Sequence, residues 1–306
     1  DLDLFETEVA KVSGRLFGVA LSSGTAALQL GLLALHVQPG DVVVCASMTF
    51  VATANAVMHV GAIPVFVDSE IETGNISLPL LRLALEGVAK SGRRLGAVIP
   101  VDLLGKAANH TEIVALCEEF SVPVLVDAAE SLGAKHRGRP SASYGQSAVI
   151  SFNGNKIATT SGGGMFLTDD EILARRVRFL STQAREPEDH YEHREVGYNF
   201  RLSNVLAALG RAQVTRLPDM ISKRRETRNR YRELFQSVEG VEVFGGEDSE
   251  DNCWLTAVVI DEGLVRWAPQ NLAQHLMKSG IESRPLWKPM HMQPLYKDRE
   301  RYIDGS

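Results

Sequence analysis

Cysteine is scarce in this sequence: Cys45, Cys117 and Cys253 are the three in 306 residues, an odd number set far apart among mostly apolar neighbours. That usage is unlike a disulfide framework and fits buried free thiols in a reducing compartment. None of the three has metal-ligand spacing to a histidine or another cysteine, so no metal site is expected. Long apolar runs are missing as well. No stretch reaches the ~18 residues that a membrane span needs, and Asp1-Leu2-Asp3 has neither the basic region nor the apolar core of a signal peptide. A cytoplasmic protein with no membrane partner is expected. Charge of one sign is equally sparse. The net charge of -6 comes from 38 acidic and 32 basic residues spread along the chain, with Lys223-Arg224-Arg225 as a short exception, which argues against nucleic acid as a partner. The sequence shows no internal repeat and no low-complexity linker. It starts without Met and closes on Asp304-Gly305-Ser306 with no evident final element, and so reads as a fragment.

What is present is a regular alternation. A hydrophobic content of 44% over this length suffices for one large core and a smaller second one. Apolar runs at residues 18–21, 41–45, 64–68, 96–101 and 123–127 read as strands, and helical patterns cover 4–12, 26–35, 51–59, 78–89 and 111–120. Uninterrupted apolar strands separated by helices predict an α/β fold, a mostly parallel sheet with helices on both faces. In such sheets the ligand sits at the carboxyl ends of the strands. Near Leu217-Pro218 the character changes. A charged helix over 220–235, strands at 241–244 and 254–260 around an acidic loop, a helix over 269–277 and a Pro/aromatic tail follow. Domains are therefore expected at 1–216 and 217–306, the second a small, incomplete α+β unit.

The chemically able residues fall just after the strands. Lys156, in Ser151-Phe152-Asn153-Gly154-Asn155-Lys156, follows the apolar run Ala148-Val149-Ile150 and precedes Gly162-Gly163-Gly164. A lysine that forms an imine must shed its proton near neutral pH, which partial burial among small polar neighbours favours; the alternative is an ordinary loop lysine or a phosphate contact. Gly24 and Thr25 open a helix after a strand, where amides and hydroxyls bind an anion or merely cap the helix. Asp127 ends the apolar run 123–126, so it is either the partner of a cationic group or a turn cap. Glu130, three residues on, faces the same cavity or the surface. Phe50 stacks on a planar ring or belongs to the core, and Asn199 lies in a polar loop where a turn-forming Asn is the default. Arg284, Trp287, Lys288 and His291 form a cationic and aromatic cluster suited to an anionic or nucleotide ligand, or else a tail docked on the large domain. Together, a phosphate cradle at Gly24 and Thr25, an aromatic at Phe50, an acid at Asp127 and an amine at Lys156 are the set that pyridoxal 5'-phosphate requires.

The blocks Ser22-Ser23-Gly24-Thr25-Ala26-Ala27-Leu28, Met48-Thr49-Phe50-Val51-Ala52-Thr53-Ala54-Asn55, Val126-Asp127-Ala128-Ala129-Glu130-Ser131-Leu132-Gly133-Ala134 and Gly197-Tyr198-Asn199-Phe200-Arg201 resemble the signature blocks of the DegT-type sugar aminotransferases, fold-type I enzymes that use pyridoxal phosphate. The resemblance runs from Phe5 to about Tyr296. Within the family, residues 151–156 and the tail 283–291 are most similar to transaminases acting on UDP-linked 4-keto-6-deoxy-N-acetylhexosamines, as in bacillosamine-type pathways of bacterial surface glycans. The resemblance implies that Lys156 bonds the cofactor, that Asp127 partners its ring nitrogen, and that Gly24, Thr25 and Ser151 hold its phosphate. It also implies that Phe50 stacks on the ring and that Asn199 reaches the phosphate in the neighbouring subunit of a homodimer. Glu130 stands where many members have Gln or His near the ring. Glutamate as amino donor and a UDP-linked keto sugar as acceptor are implied too, with Arg284, Trp287, Lys288 and His291 on the substrate side. Leu104-Gly105-Lys106 departs from the common Tyr-Gly-Gln, and a segment before Phe5 and a helix after Tyr296 that members usually carry are not in this sequence. The alternatives are a dTDP-linked 3- or 4-keto deoxysugar as substrate, a deoxysugar dehydratase, in which His replaces the lysine, and a non-catalytic regulatory protein that keeps the fold. The intact Lys156 and Asp127 pair speaks for catalysis.

Overall fold

The central strands form where short runs of Val, Ile, Leu and Ala are buried on both faces, a pattern that only a sheet covered on both sides accommodates. The computed structural model describes residues 1–246 and 249–304; Glu247 and Asp248 of the acidic loop and Gly305 and Ser306 of the closing tripeptide lie outside the described residues. The chain begins with α1 (Leu2–Val12), β1 (Phe17–Leu21), α2 (Gly24–Ala34), β2 (Val42–Ala46), α3 (Ala52–His59) and β3 (Ile63–Val67). It continues through α4 (Leu78–Lys90), β4 (Leu95–Ile99), α5 (His110–Glu119) and β5 (Leu125–Asp127). After a small hairpin of β6 (Lys135–His136) and β7 (Arg139–Pro140) come β8 (Ser147–Ser151), β9 (Gly164–Thr168), α6 (Glu171–Ser181) and α7 (Asn204–Thr215). The periodicity reading marked out neither β9 nor α6.

The strands order as β1-β9-β8-β5 and as β4-β2-β3. The two groups join into one sheet where β4 meets β5: Val98 N–H donates to Pro123 O and Asp127 N–H to Pro100 O, each at 2.9 Å. β9 runs antiparallel to both neighbours, β1 and β8, while β2, β3 and β4, and β5 and β8, pair in parallel. Successive side chains of a strand point to opposite faces. Val42 and Val44 therefore enter one core cluster with α1, α4, α5 and α7, whereas Val43 and Cys45 enter the other with α2, α3 and α6. All three cysteines are buried and outside any disulfide.

The later part begins with α8 (Leu217–Phe235), a 19-residue helix, followed by the antiparallel pair β10 (Val241–Val243) and β11 (Val258–Ile260) and by α9 (Pro269–Lys278). The strand expected over 254–260 is confined to its last three residues. Asn252 Oδ1 accepts the Trp254 N–H at 2.9 Å and Cys253 takes φ +56°, so a side-chain turn occupies the start of that segment in place of extended pairing. Beyond Pro289 the chain returns to the large sheet. Met290 N–H donates to Ser47 O at 2.8 Å, Met290 and Tyr296 join the core, and β12 (Arg301–Tyr302) pairs in parallel with β3.

One close approach fixes the site end of the sheet. A Cβ on Gly164 would lie 2.3 Å from Ser23 O and 2.6 Å from Gly24 N, so β9 touches the start of α2 more closely than any side chain permits. Gly164→Ala is expected to destabilise the fold by about 2–3 kcal/mol, the usual cost of forcing backbone apart in a packed site. Urea denaturation checks this, and an unchanged midpoint would contradict it.

Candidate active site

The carboxyl ends of β5 and β8 deliver the two principal groups. Asp127 is the last residue of β5, and Lys156 lies in the loop after β8, held by a turn in which its N–H donates to Asn153 O at 3.0 Å. Both side chains are withdrawn from water. Asp127 Oδ2 accepts from Thr53 Oγ1 at 2.6 Å, Oδ1 accepts the Ala129 N–H at 3.2 Å, and Thr49 Oγ1 stands 2.7 Å behind Thr53. Burial pushes the Asp127 carboxyl above its ordinary range, against the opposing pull of Thr53, the Ala129 amide and Lys156. A buried carboxylate whose hydrogen-bond partners are neutral is suited to a cationic N–H brought in by a ligand.

Glu130 is the second buried acid, and its two oxygens are used differently. Oε1 lies 3.3 Å from Lys156 Nζ, while Oε2 accepts the Leu104 N–H at 2.8 Å. Burial raises the Glu130 carboxyl to about 7, with Lys156 and the Leu104 amide opposing and Asp127 reinforcing the rise. The Leu104 amide reaches this position because Leu104 adopts φ +56° and Gly105 φ +95°; a Cβ at Gly105 would lie 1.9 Å from Asn252 Oδ1. On its other side Lys156 meets Trp254, whose ring centroid is 4.0 Å from Nζ and whose Nε1–H donates to Asn155 O at 2.8 Å. Trp254, Asn252 and Thr53 are site residues that the sequence reading did not single out. Thr53 lay inside a quoted signature block, whereas Trp254 carried no signal beyond a strand pattern.

Behind the two acids lies a fully buried support. Asp102 N–H donates to Asp127 O at 3.1 Å, and the Asp102 carboxylate accepts from His110 Nε2 at 2.7 Å, Ser131 Oγ at 2.6 Å and the Ala108 N–H at 2.9 Å. Burial alone would raise the Asp102 carboxyl, but His110 and these hydrogen bonds outweigh it and hold it below its ordinary range.

The anion cradle is assembled at the start of α2. Ser23 caps the helix through Oγ to the Ala26 N–H at 3.0 Å, and the first-turn amides of Gly24 and Thr25 have no intrahelical carbonyl to meet. Ser151 ends β8 directly against this turn, 3.1 Å from where a Gly24 Cβ would stand. A phosphate fits such a helix start. Phe50, before α3, is 53% exposed and meets the edge of the Trp287 ring at 6.1 Å. Asn199 is exposed and bridges to Thr182, and the next residue, Phe200, accepts the Ser22 N–H at 2.7 Å. The tail residues are not gathered into one cluster: His291 Nδ1 pairs with Ser47 Oγ at 2.6 Å and Trp287 with Phe50, whereas Lys288 is exposed and Arg284 pairs with Glu282 at 2.7 Å on the surface. Among the described residues no helix is long and apolar enough to cross a membrane.

A mixed sheet with helices on both faces, carrying a partly buried lysine and a buried aspartate at adjacent strand ends beside a helix start, has the architecture of the fold-type I aminotransferases, which use pyridoxal phosphate. The chain belongs to the DegT/DnrJ/EryC1/StrS aminotransferase family, whose model matches residues 1–306. It is 46% identical over 293 residues to EpsN of Bacillus subtilis (strain 168), covering 95% of this chain and 75% of that protein. It is 35% identical over 303 residues to GDP-perosamine synthase of Caulobacter vibrioides, covering 95% and 77%. Among solved structures, a DegT DnrJ EryC1 StrS aminotransferase from Brucella abortus superposes with a TM-score of 0.91 at 30% identity, covering 99% of this chain and 80% of that one. The chain is thus a pyridoxal phosphate-dependent sugar aminotransferase.

Glu130 gives the site a pH signature. A carboxyl raised from 4.5 to about 7 binds its proton more tightly in the folded than in the unfolded chain. Its contribution to stability is therefore full below the unfolded value and is lost as pH rises through about 7. Between about pH 5 and about pH 8 the native chain should lose up to about 3 kcal/mol relative to Glu130→Gln. Urea midpoints of both proteins across that range check this; parallel curves would contradict it.

Proposed function

We propose that this chain transfers the amino group of glutamate to the 4-keto carbon of a UDP-linked 4-keto-6-deoxy-N-acetylhexosamine, in two half-reactions and as a homodimer. The observation that carries the reading is the partly buried Lys156 amine 3.3 Å from Glu130 Oε1, at the same sheet edge as Asp127. Pyridoxal phosphate, when bound, supplies an electron sink and carries the amino group between donor and acceptor. Lys156 Nζ is the amine that would bond the cofactor and, once released from it, would take up and return a proton. Glu130 Oε1 receives or returns that proton at 3.3 Å, and its raised pKa leaves both of its charge states accessible near neutral pH. Asp127, fixed by Thr53 and the Ala129 amide, holds the cationic ring nitrogen. Gly24, Thr25 and Ser151 bind the phosphate, and Phe50 lies against the ring.

Asn199 is assigned to the partner subunit's phosphate, a role consistent with its exposure. The segment 284–291 is assigned to the nucleotide sugar: Trp287 and His291 border the mouth through Phe50 and Ser47, and the exposed Arg284 and Lys288 meet the diphosphate. Binding of that remote group positions the ketone, so the free sugar should react far more slowly than the nucleotide-linked one. A second reading, a GDP-linked 4-keto sugar, is favoured by the 35% identity to GDP-perosamine synthase.

The two readings separate in one assay. With glutamate in excess, UDP-, GDP- and dTDP-linked 4-keto-6-deoxy sugars are supplied and 2-oxoglutarate release is followed. The UDP-linked N-acetylhexosamine should have the highest kcat/KM, and Arg284→Ala should lower it about tenfold, or about 1.4 kcal/mol. Preference for the GDP or dTDP sugar, or no loss in Arg284→Ala, would overturn the substrate assignment.

A further inference from the structure

Trp254 touches the group that reacts. Its indole face lies 4.0 Å from Lys156 Nζ and its Nε1–H anchors the carbonyl of Asn155, the residue before the lysine, at 2.8 Å. The Trp254 side chain is 1% exposed and that of Lys156 11%, so little water reaches the contact. The backbone beneath it is fixed on every side. Its N–H donates to Asn252 Oδ1 at 2.9 Å, and the Asn252 amide in turn donates to the carbonyls of Glu130 at 2.7 Å and Leu132 at 3.0 Å. From α8, Arg224 donates to Trp254 O and Arg228 to Leu255 O. A single short segment thus grips the Glu130 loop at one end and the Lys156 loop at the other.

A cation withdrawn from water is costly unless something meets its charge. A carboxylate alone would meet it and also compete for the proton. An indole face stabilises the cation through its ring quadrupole and has no lone pair with which to take the proton away. We propose that Trp254 is a positioning residue for amino transfer: its ring face and its Nε1–H bond to the Lys156 loop hold the uncombined Lys156 amine aimed at Glu130 Oε1. The inference rests on the reading of Lys156 as the lysine that bonds the cofactor, and it adds a role for a residue contributed from beyond the α8 boundary.

The test uses the full chain freed of cofactor. Trace acylation with acetic anhydride at neutral pH, followed by peptide mass spectrometry, gives the reactivity of Lys156 relative to the exposed Lys90 in the same molecule. Trp254→Met keeps buried apolar bulk without a ring face, and Trp254→Phe keeps a ring face without the N–H. Lys156 should acylate about tenfold faster in Trp254→Met and within about threefold of the native rate in Trp254→Phe. Equal rates in the two variants would reduce Trp254 to a space filler and overturn the proposal. If neither variant folds, the native chain with 13C-labelled lysine decides: a Lys156 Hε resonance shifted upfield by the indole ring current supports the contact, and its absence overturns it. Because these readouts need no cofactor, their failure leaves the aminotransferase reading standing, whereas a cofactor adduct on another lysine would remove that reading without moving them.

Discussion

The structure depends on placing an amine and two carboxyls together at a sheet edge that water barely reaches. Burying a charge without a partner costs several kcal/mol, and a carboxyl so placed raises its pKa instead. Asp127 and Glu130 respond in that way, and the surrounding fold is arranged to limit the cost. Thr53 and the Ala129 amide serve Asp127; Leu104, held in a left-handed conformation, turns its amide to Glu130; Lys156 sits between Glu130 and the Trp254 ring. The residual imbalance at Asp127 is the feature most apt for a cofactor, since a ring N–H would supply the charge that the chain itself withholds.

Rigidity behind the site comes from a second layer of buried hydrogen bonds. Asp102, anchored by His110, Ser131 and the Ala108 amide, ties the segment after β4 to the end of β5. On the opposite flank Lys106 and Arg228 both reach Asp251, at 2.9 Å and 3.5 Å, and Arg225 binds the carbonyls of Ser249 and Asp251. Arginines of α8, part of the helix that reads as charged over 220–235, hold the loop that delivers Trp254. Preorganisation of this kind keeps reacting groups from reorienting during the chemical step.

The parts of the site legible in the sequence are those that strands deliver. Asp127 and the Lys156 loop each follow an uninterrupted apolar run, so periodicity alone put them at the active edge, and the alternation of strands with helices gave the α/β sheet. Trp254 and Asn252 escaped because they arrive on an irregular segment distant in sequence, where an Asn side-chain turn replaces the expected strand. Nothing local distinguishes such a tryptophan from a core residue. The tail shows the reverse failing. Arg284, Trp287, Lys288 and His291 are neighbours in sequence, yet Trp287 and His291 contact Phe50 and Ser47 while Arg284 is taken up by Glu282 at the surface.

The central claim is that Lys156 is the amine around which this edge is built, and one measurement tests it most directly. The full chain is loaded with pyridoxal phosphate, reduced with borohydride, digested and mapped by mass spectrometry. A single pyridoxyl adduct on Lys156 is the result the account predicts. An adduct on any other lysine, or cofactor bound with no reducible linkage at all, would contradict it.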